Sequence, residues 1–305
     1  PSLAAAQDYP TKPITIIVPF PAGGTLDNLT RSLAQKMSDD FKQPVIIDNK
    51  PGASGNIAVA EVARAPADGH TFLVAPTTVE TANPSLFKFP VLPARDLLPV
   101  AGLGKTQMYL VSRPGLAATD VPSLVRLGST PGKELSFASA GTGTAPHLAC
   151  ELFKQATKVD FVHAPYRGAA PALQDVMANQ ADFVCDPGIA FQHIRSGKVR
   201  LLGIVSSKRS PFFPDVPTVA EQGYPGFNAS IWFGLVGPAK MPVEVVARIN
   251  ADVNRILSMP DVVSKLEEFG AEDGGGTPQR FEAFMRDERA KWANLIQSRG
   301  IRVDA

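Results

Sequence analysis

Two glycine-rich turns hold the residues of this sequence best suited to chemistry. The first is Pro19-Phe20-Pro21-Ala22-Gly23-Gly24-Thr25-Leu26-Asp27, which follows a short β-branched run and precedes an apolar stripe of helical spacing. Gly23 and Gly24 allow positive φ and let a ligand approach the N–H groups that begin a helix. A helix N-terminus attracts anions, so the implied chemistry is capture of an anion by backbone donors. The same residues also fit a plain strand-to-helix connection, with Thr25 as N-cap and Asp27 in the first turn. The second turn, Gly141-Thr142-Gly143-Thr144, lies at another such junction and offers N–H groups and hydroxyls. His147 follows it, placed to donate a hydrogen bond to a bound anion. Asp27 and Asp186 sit near predicted strand ends, available to a ligand cation or to capping and turn formation. Phe20, Tyr166, Phe191 and Trp232 lie near these turns, and aromatic walls around backbone donors suit a small organic anion.

Other chemistries are poorly supported. The third glycine of a dinucleotide-binding GxGxxG is replaced by Pro146, and no GxxxxGK[ST] phosphate loop occurs. Ser54 sits in Gly52-Ala53-Ser54-Gly55-Asn56, where a GxSxG nucleophile elbow requires glycine in place of Asn56. His70, His147, His163 and His193 fall on four different elements, without the i, i+4 pair of a helical zinc site. The expectation is therefore no catalytic residue, no cofactor and no metal. The rival reading is a two-domain α/β hydrolase or transferase acting on a small organic acid, recruiting Ser54, His147, Asp27 and Asp186.

Composition narrows the partners. Lys and Arg total 30 against 29 Asp and Glu, which gives no basic excess to hold a nucleic-acid backbone. Every apolar run is broken before the ~18 residues that span a bilayer. Ala4-Ala5-Ala6 before Gln7 has the small-x-small form of a signal-peptidase site, so the mature chain is expected to start at Gln7. Cys150 and Cys185 are compatible with a disulfide or with two buried thiols.

The elements that must position the turns follow a strand-turn-helix rhythm, which predicts an α/β fold with mostly parallel sheets. Strands are expected at 14–18, 45–48 and 71–75, with helices on the stripe Leu26, Leu29, Leu33, Met37 and over 57–65. A second series predicts strands near 135–138, 161–163, 181–185 and 199–205, and helices over 146–153, up to 178, and over 189–195. After a strand at 232–236 the rest reads as helical, with stripes at Val243, Val246, Ile249, Val253, Ile256 and at Phe281, Phe284, Trp292, Leu295. At 305 residues the chain is expected to form two domains.

Ordered markers along the chain carry a resemblance. Besides the two turns they are Lys50-Pro51-Gly52-Ala53-Ser54-Gly55-Asn56, Asp68-Gly69-His70-Thr71-Phe72-Leu73, Pro165-Tyr166-Arg167-Gly168, Asp215-Val216-Pro217-Thr218-Val219-Ala220-Glu221 and Trp232-Phe233-Gly234-Leu235. From Tyr9 to Ile301 the chain resembles the Bug-type extracytoplasmic solute receptors, the periplasmic binding proteins of tripartite tricarboxylate transporters. The resemblance implies a two-domain, clam-shell, type II-like periplasmic binding protein with a hinge of crossing strands. Domain 1 is then 7–105 plus 229–305, and domain 2 is 106–228. It implies a non-enzymatic, monomeric periplasmic protein, processed after Ala6, that captures a small carboxylate, a dicarboxylate or aromatic acid, in an interdomain cleft. The partners implied are the membrane subunits of a tripartite transporter and, as an alternative role, a sensor protein. Carried over by position, the ligand residues are Phe20, Ala22, Gly23, Gly24, Thr25, Asp27, Thr77, Thr78, Thr142, Gly143, Thr144, His147, Tyr166 and Asp186. The stretches 77–83 and 186–191 are expected to set the distal end of the pocket.

Overall fold

The structure is a computed structural model describing residues 9–23, 25–268 and 271–302. The expected processing site after Ala6, the start at Gln7, and Gly24 of the first turn lie outside the described residues. In chain order the elements are β1 (Ile14–Val18), α1 (Thr25–Phe41), β2 (Val45–Asn49), a 3₁₀ turn (Ala53–Gly55), α2 (Asn56–Arg64), β3 (Thr71–Pro76), and the short helices α3 (Thr78–Thr81), α4 (Asn83–Leu86) and α5 (Pro93–Asp96). Then come β4 (Leu97–Thr106), β5 (Tyr109–Ser112), α6 (Val121–Gly128), β6 (Ser136–Ser139), α7 (Ala145–Thr157), β7 (Val162–Pro165), α8 (Ala169–Met177), β8 (Phe183–Asp186), α9 (Phe191–Arg195) and β9 (Arg200–Ile204). The last are β10 (Ile231–Pro238), α10 (Val243–Leu257), α11 (Pro260–Glu268), β11 (Ala271–Asp273) and α12 (Pro278–Arg299). The chain forms two compact units, one from the residues up to Lys105 with Trp232–Gln297, the other from Thr106–Ile231 with the residues from Ser298.

The first unit is built on a six-stranded sheet in the order β11-β4-β10-β3-β1-β2. β1 pairs parallel with β2 and β3, and its Ile14, Ile16, Ile17 and Val18 are buried. Apart from the half-buried Thr15 the strand is apolar, as a strand covered on both faces requires. Leu26, Leu29, Leu33 and Met37 form the buried stripe of α1. A core of Ile17, Val59, Val62, Leu73, Val79, Phe281 and Met285 joins α2, the sheet and α12.

The second unit carries a five-stranded sheet in the order β7-β6-β8-β5-β9. β6 pairs parallel with β7 and β8, which sets the ends of these strands beside the turn that leads into α7. Phe137, Phe153, Phe161 and Phe183 are fully buried here, and the Phe161 and Phe183 rings meet edge to face at 4.9 Å.

Three expectations need correction. The sheets are mixed rather than mostly parallel: β10 runs antiparallel to β3, and β5 antiparallel to β8 and β9. These strands are not joined to those neighbours by a βαβ crossover, so nothing forces a parallel direction. The C-terminal part is not all helical, because Ala271–Asp273 adds the edge strand β11. Val243 does not belong to the buried stripe of α10; as the first residue of that helix it is 81% exposed, whereas Val246, Ile249, Val253 and Ile256 are buried.

Gly102 in β4 faces the backbone carbonyl of Gly274, against which a Cβ has no room. Gly102→Ala is expected to cost about 1–3 kcal/mol of stability, because the obstructing atom is main chain and cannot rotate away. Urea unfolding checks this, and an unchanged midpoint would contradict it.

Candidate functional site

The first turn is held by a buried acid. Asp27, on the first turn of α1, accepts the Gly23 N–H at 2.9 Å and the Arg31 Nε–H at 2.9 Å on Oδ2, and Asn49 Nδ2–H at 2.9 Å on Oδ1. Asn49, the last residue of β2, also donates to the Phe20 carbonyl at 3.0 Å and accepts from Arg31 at 3.0 Å. Burial pushes the Asp27 carboxyl up, but the bonds from Arg31, Gly23 and Asn49 prevail and hold it below the ordinary aspartate range. Both its oxygens are thus engaged with the chain. Gly23 takes φ +90°, as a Gly-rich turn requires, while Ala22 and Gly23 are exposed and Phe20 half-buried. Thr25 begins α1.

Two neighbouring segments buttress this turn. Gly55, at φ +94°, brings its backbone close to Pro19 and Val79; a Cβ there would lie 3.0 Å from Val79 Cγ1 and 3.3 Å from Pro19 Cβ. Asn83 Nδ2 donates to the Ser54 carbonyl at 2.9 Å and to Asn56 Oδ1 at 3.0 Å, tying the stretch 77–83 to the same loop. Thr77 and Thr78 are buried, and the Thr77 N–H donates to the Trp232 carbonyl at 2.8 Å. Glu80, also buried, leaves Oε1 without a hydrogen bond among the described residues. Burial raises its carboxyl to about 8, against the pull of Arg289, so it is protonated at neutral pH.

The second turn belongs to the other unit and is held by imidazoles. Gly141 and Gly143 take φ +125° and +82°. The Gly141 carbonyl accepts Thr144 N–H at 3.2 Å and Thr144 Oγ1–H at 2.7 Å. Gly143 N–H donates to His147 Nδ1 at 3.0 Å, so the proton of the neutral ring sits on Nε2, 3.9 Å from Glu151 Oε1. His147 stacks on His163 at 4.0 Å, and His163 Nε2 meets Ser139 Oγ at 2.7 Å. Ser139 Oγ in turn accepts the Gly141 N–H at 3.2 Å. Burial, with Lys154 nearby, drives His147 down to about 3 and His163 to about 4. His163 also lowers His147.

What this arrangement offers a ligand differs from the simplest reading of the turn. The N–H groups of Gly143 and Thr144 are turned inward. Thr144 occupies the N-cap position of α7 yet makes no side-chain cap, and Pro146 has no N–H. The helix geometry leaves the N–H groups of Ala145 and His147 without intrahelical acceptors. A helix N-terminus without a side-chain cap keeps N–H donors at its positive end, the features that attract an anion.

Asp186 closes β8 in the same unit. Its Oδ1 accepts the N–H groups of Gly188 at 2.8 Å and Ala190 at 2.9 Å, while Oδ2 is buried without a partner among the described residues. Burial raises its carboxyl to about 6 despite the bonds from Ala190 and Gly188. Tyr166 is half-buried, its N–H on the Ser139 carbonyl at 3.0 Å. Phe191 is a core residue packed against Tyr109 and Phe213, and the Trp232 ring lies tilted against Phe284 with centroids 4.3 Å apart. Asn49, Ser139 and His163 are the positioning residues that sequence reasoning missed. Among the described residues no cluster of His, Cys, Asp and Glu has the grouping of a metal site, and no helix is long and apolar enough to cross a membrane.

Residues 29–301 match the family described as "Tripartite tricarboxylate transporter family receptor". The protein BugT of Bordetella pertussis is 35% identical over 98% of this chain and 93% of its own length. A protein of the tcbD-tcbE intergenic region of Pseudomonas sp. strain P51 is 38% identical over 94% of this chain and 86% of its own. Among solved structures, an R. palustris protein with adipate superposes with TM-score 0.90 at 34% identity, covering 97% of this chain and all (100%) of its own. MatC of Rhodopseudomonas palustris with bound malate gives 0.87 at 33%, covering 94% and 100%. The periplasmic binding protein BugD gives 0.86 at 33%, covering 97% and 100%.

The neutral imidazoles make stability depend on pH with a definite sign. His147 binds no proton in the fold until about pH 3, whereas in the unfolded chain it titrates near 6.5. Its contribution is complete above pH 6.5 and is lost as pH falls below that. Asp186 and Glu80 have raised values and act oppositely, losing their contribution as pH rises through about 6 and about 8. The clean test is therefore a difference: between pH 7 and pH 5, His147→Gln should lose about 2 kcal/mol less than wild type. Equal losses would show that His147 is not held neutral. Asn49→Ala should cost about 1–3 kcal/mol at neutral pH, because it strips partners from Asp27 and Phe20 together; a midpoint equal to wild type would dismiss that role.

Proposed function

The chain belongs to the tripartite tricarboxylate transporter receptor family, and from that premise we propose that it is an exported, periplasmic receptor that binds a small carboxylate through the two Gly-rich turns and delivers it to the membrane subunits of such a transporter. As a member of this family it is a solute-binding receptor and not an enzyme. The observation that carries the ligand class is the uncapped N-terminus of α7, with the N–H groups of Ala145 and His147 behind a turn already fixed by His147 and Ser139. Two N–H donors at a positive helix end match a carboxylate in charge and geometry. Relatives solved with adipate and malate support a linear dicarboxylate over an amine or a sugar.

Each nominated residue has a definite part. The backbone of Phe20, Ala22, Gly23 and Thr25 forms one carboxylate-facing surface, and Asp27 keeps it in shape; Gly24 is nominated by the resemblance alone. Thr142, Thr144, His147 and Tyr166 form the other, with Gly143 bending the chain so that its own N–H anchors the turn to His147. Thr77, Thr78 and Asp186 face the distal part of the ligand.

The reading is tested with protein unfolded and refolded to remove cell-derived ligand, then screened by thermal shift against malate, adipate, aromatic acids and acidic amino acids. A bound acid at about 100 times its Kd adds roughly 2.7 kcal/mol and raises Tm by several degrees. Ala145→Pro deletes one donor at a position where helices accept proline. It should weaken carboxylate binding about 10-fold or more while leaving the Tm of the empty protein nearly unchanged. Unaltered affinity in that variant would remove the α7 N-terminus from the site.

A further inference from the structure

We infer that Cys150 and Cys185 are joined by a disulfide in the exported protein, a cross-link between α7, which starts at the second turn, and β8, which ends at Asp186. The inference rests on the exported location proposed above for the source of oxidant, and on geometry for everything else. The two Sγ atoms lie 3.0 Å apart, and both side chains are fully buried. They are the only two cysteines of the chain, so neither has a competing partner. α7 packs on β8, and β8 is an interior strand between β6 and β5, with Cys185 opposite Leu110 of β5. The sulfurs thus meet across a helix-sheet interface of the second unit.

The position gives the bond its consequence. Cys150 lies on the helix that begins with the Ala145 and His147 donors, and Cys185 directly precedes the acid that organises the Gly188–Ala190 turn. A bond between them fixes the helix that bears the donors against the strand that bears Asp186. It closes a loop spanning 35 residues, long enough for the restriction of the unfolded chain to matter.

The oxidant is a protein or small-molecule disulfide of the exported compartment. One cysteine thiolate attacks a sulfur of that disulfide, forming a mixed disulfide and expelling a thiolate from the donor. The second cysteine, deprotonated in its turn, attacks the sulfur of the first and releases the donor's other thiolate. The pair loses two electrons and two protons; the donor disulfide gains the electrons and becomes a dithiol. Burial pushes the Cys150 thiol well up, which makes it a poor nucleophile once folded, so the exchange precedes burial of the sulfurs.

The experiment refolds the purified chain in a mixture of oxidised and reduced glutathione, unfolds it in the presence of a maleimide without reductant, and counts labels by mass spectrometry. The expected result is no label, two labels after prior reduction, and a monomer on a non-reducing gel. Reduction, or the double variant Cys150→Ala with Cys185→Ala, should lower Tm by roughly 5–10 °C. Two labels without reductant, or a disulfide-linked dimer, would overturn the proposal even if the double variant fails to fold. Labelling involves no ligand and no export, so a protein that binds dicarboxylate yet keeps two reactive thiols rejects the cross-link alone. A protein that is cross-linked yet binds no acid rejects the receptor reading alone.

Discussion

A turn amide bonded to a buried acceptor is the interaction on which both Gly-rich turns depend. Gly23 N–H is held by Asp27, and Gly143 N–H by His147. A Gly-rich turn left to itself samples many conformations, and ordering it on binding would cost affinity. Here the ordering is completed on folding by residues that lie on the helix each turn feeds. The acceptors are themselves braced, Asp27 by Arg31 and Asn49, and His147 by stacking on His163. The two units reach the same end with different chemistry: a carboxylate kept charged by its donors in one, an imidazole kept neutral by burial in the other.

This bracing explains why the turn glycine N–H groups are not the unbonded donors that glycine content alone suggests. Glycine lets the backbone bend, and the bend turns the Gly143 N–H inward to its anchor. The N–H groups that helix geometry leaves without acceptors lie at the start of α7, where Thr144 spends its hydroxyl on the Gly141 carbonyl and makes no side-chain cap. Backbone donors recognise a carboxylate and are indifferent to what carries it. Glu80 in one unit and Asp186 in the other each keep a buried carboxyl oxygen without a hydrogen bond among the described residues.

Much of this was legible in the sequence, for physical reasons that differ by element. β1 was readable because a run of β-branched residues buried on both faces has no other use, and α1 because its stripe keeps helical spacing. β4 was not, since Pro99, Gly102 and Gly104 interrupt its pattern, and β11, three residues long, is too short to show one. Strand direction was invisible because it depends on how distant segments return to a sheet. Asn49, Ser139 and His163 share no local motif; the β6–β7 register, which sets Phe137 opposite His163, brings His163 to the turn. Asn49 at the last position of β2 carried the one available signal, a side-chain amide at a strand end beside a glycine turn. The family markers identified the turns themselves, because glycine and proline at fixed spacing are what such turns require.

The central claim is that a carboxylate is received by the amides that open α7. It is tested most directly by ¹H–¹⁵N correlation spectra of refolded, isotope-labelled protein titrated with adipate or malate. Saturable downfield shifts of the Ala145 and His147 amide protons are expected, with the Gly143 amide, already bonded to His147, moving little. Binding that leaves the Ala145 and His147 amides unmoved while shifting others would contradict it.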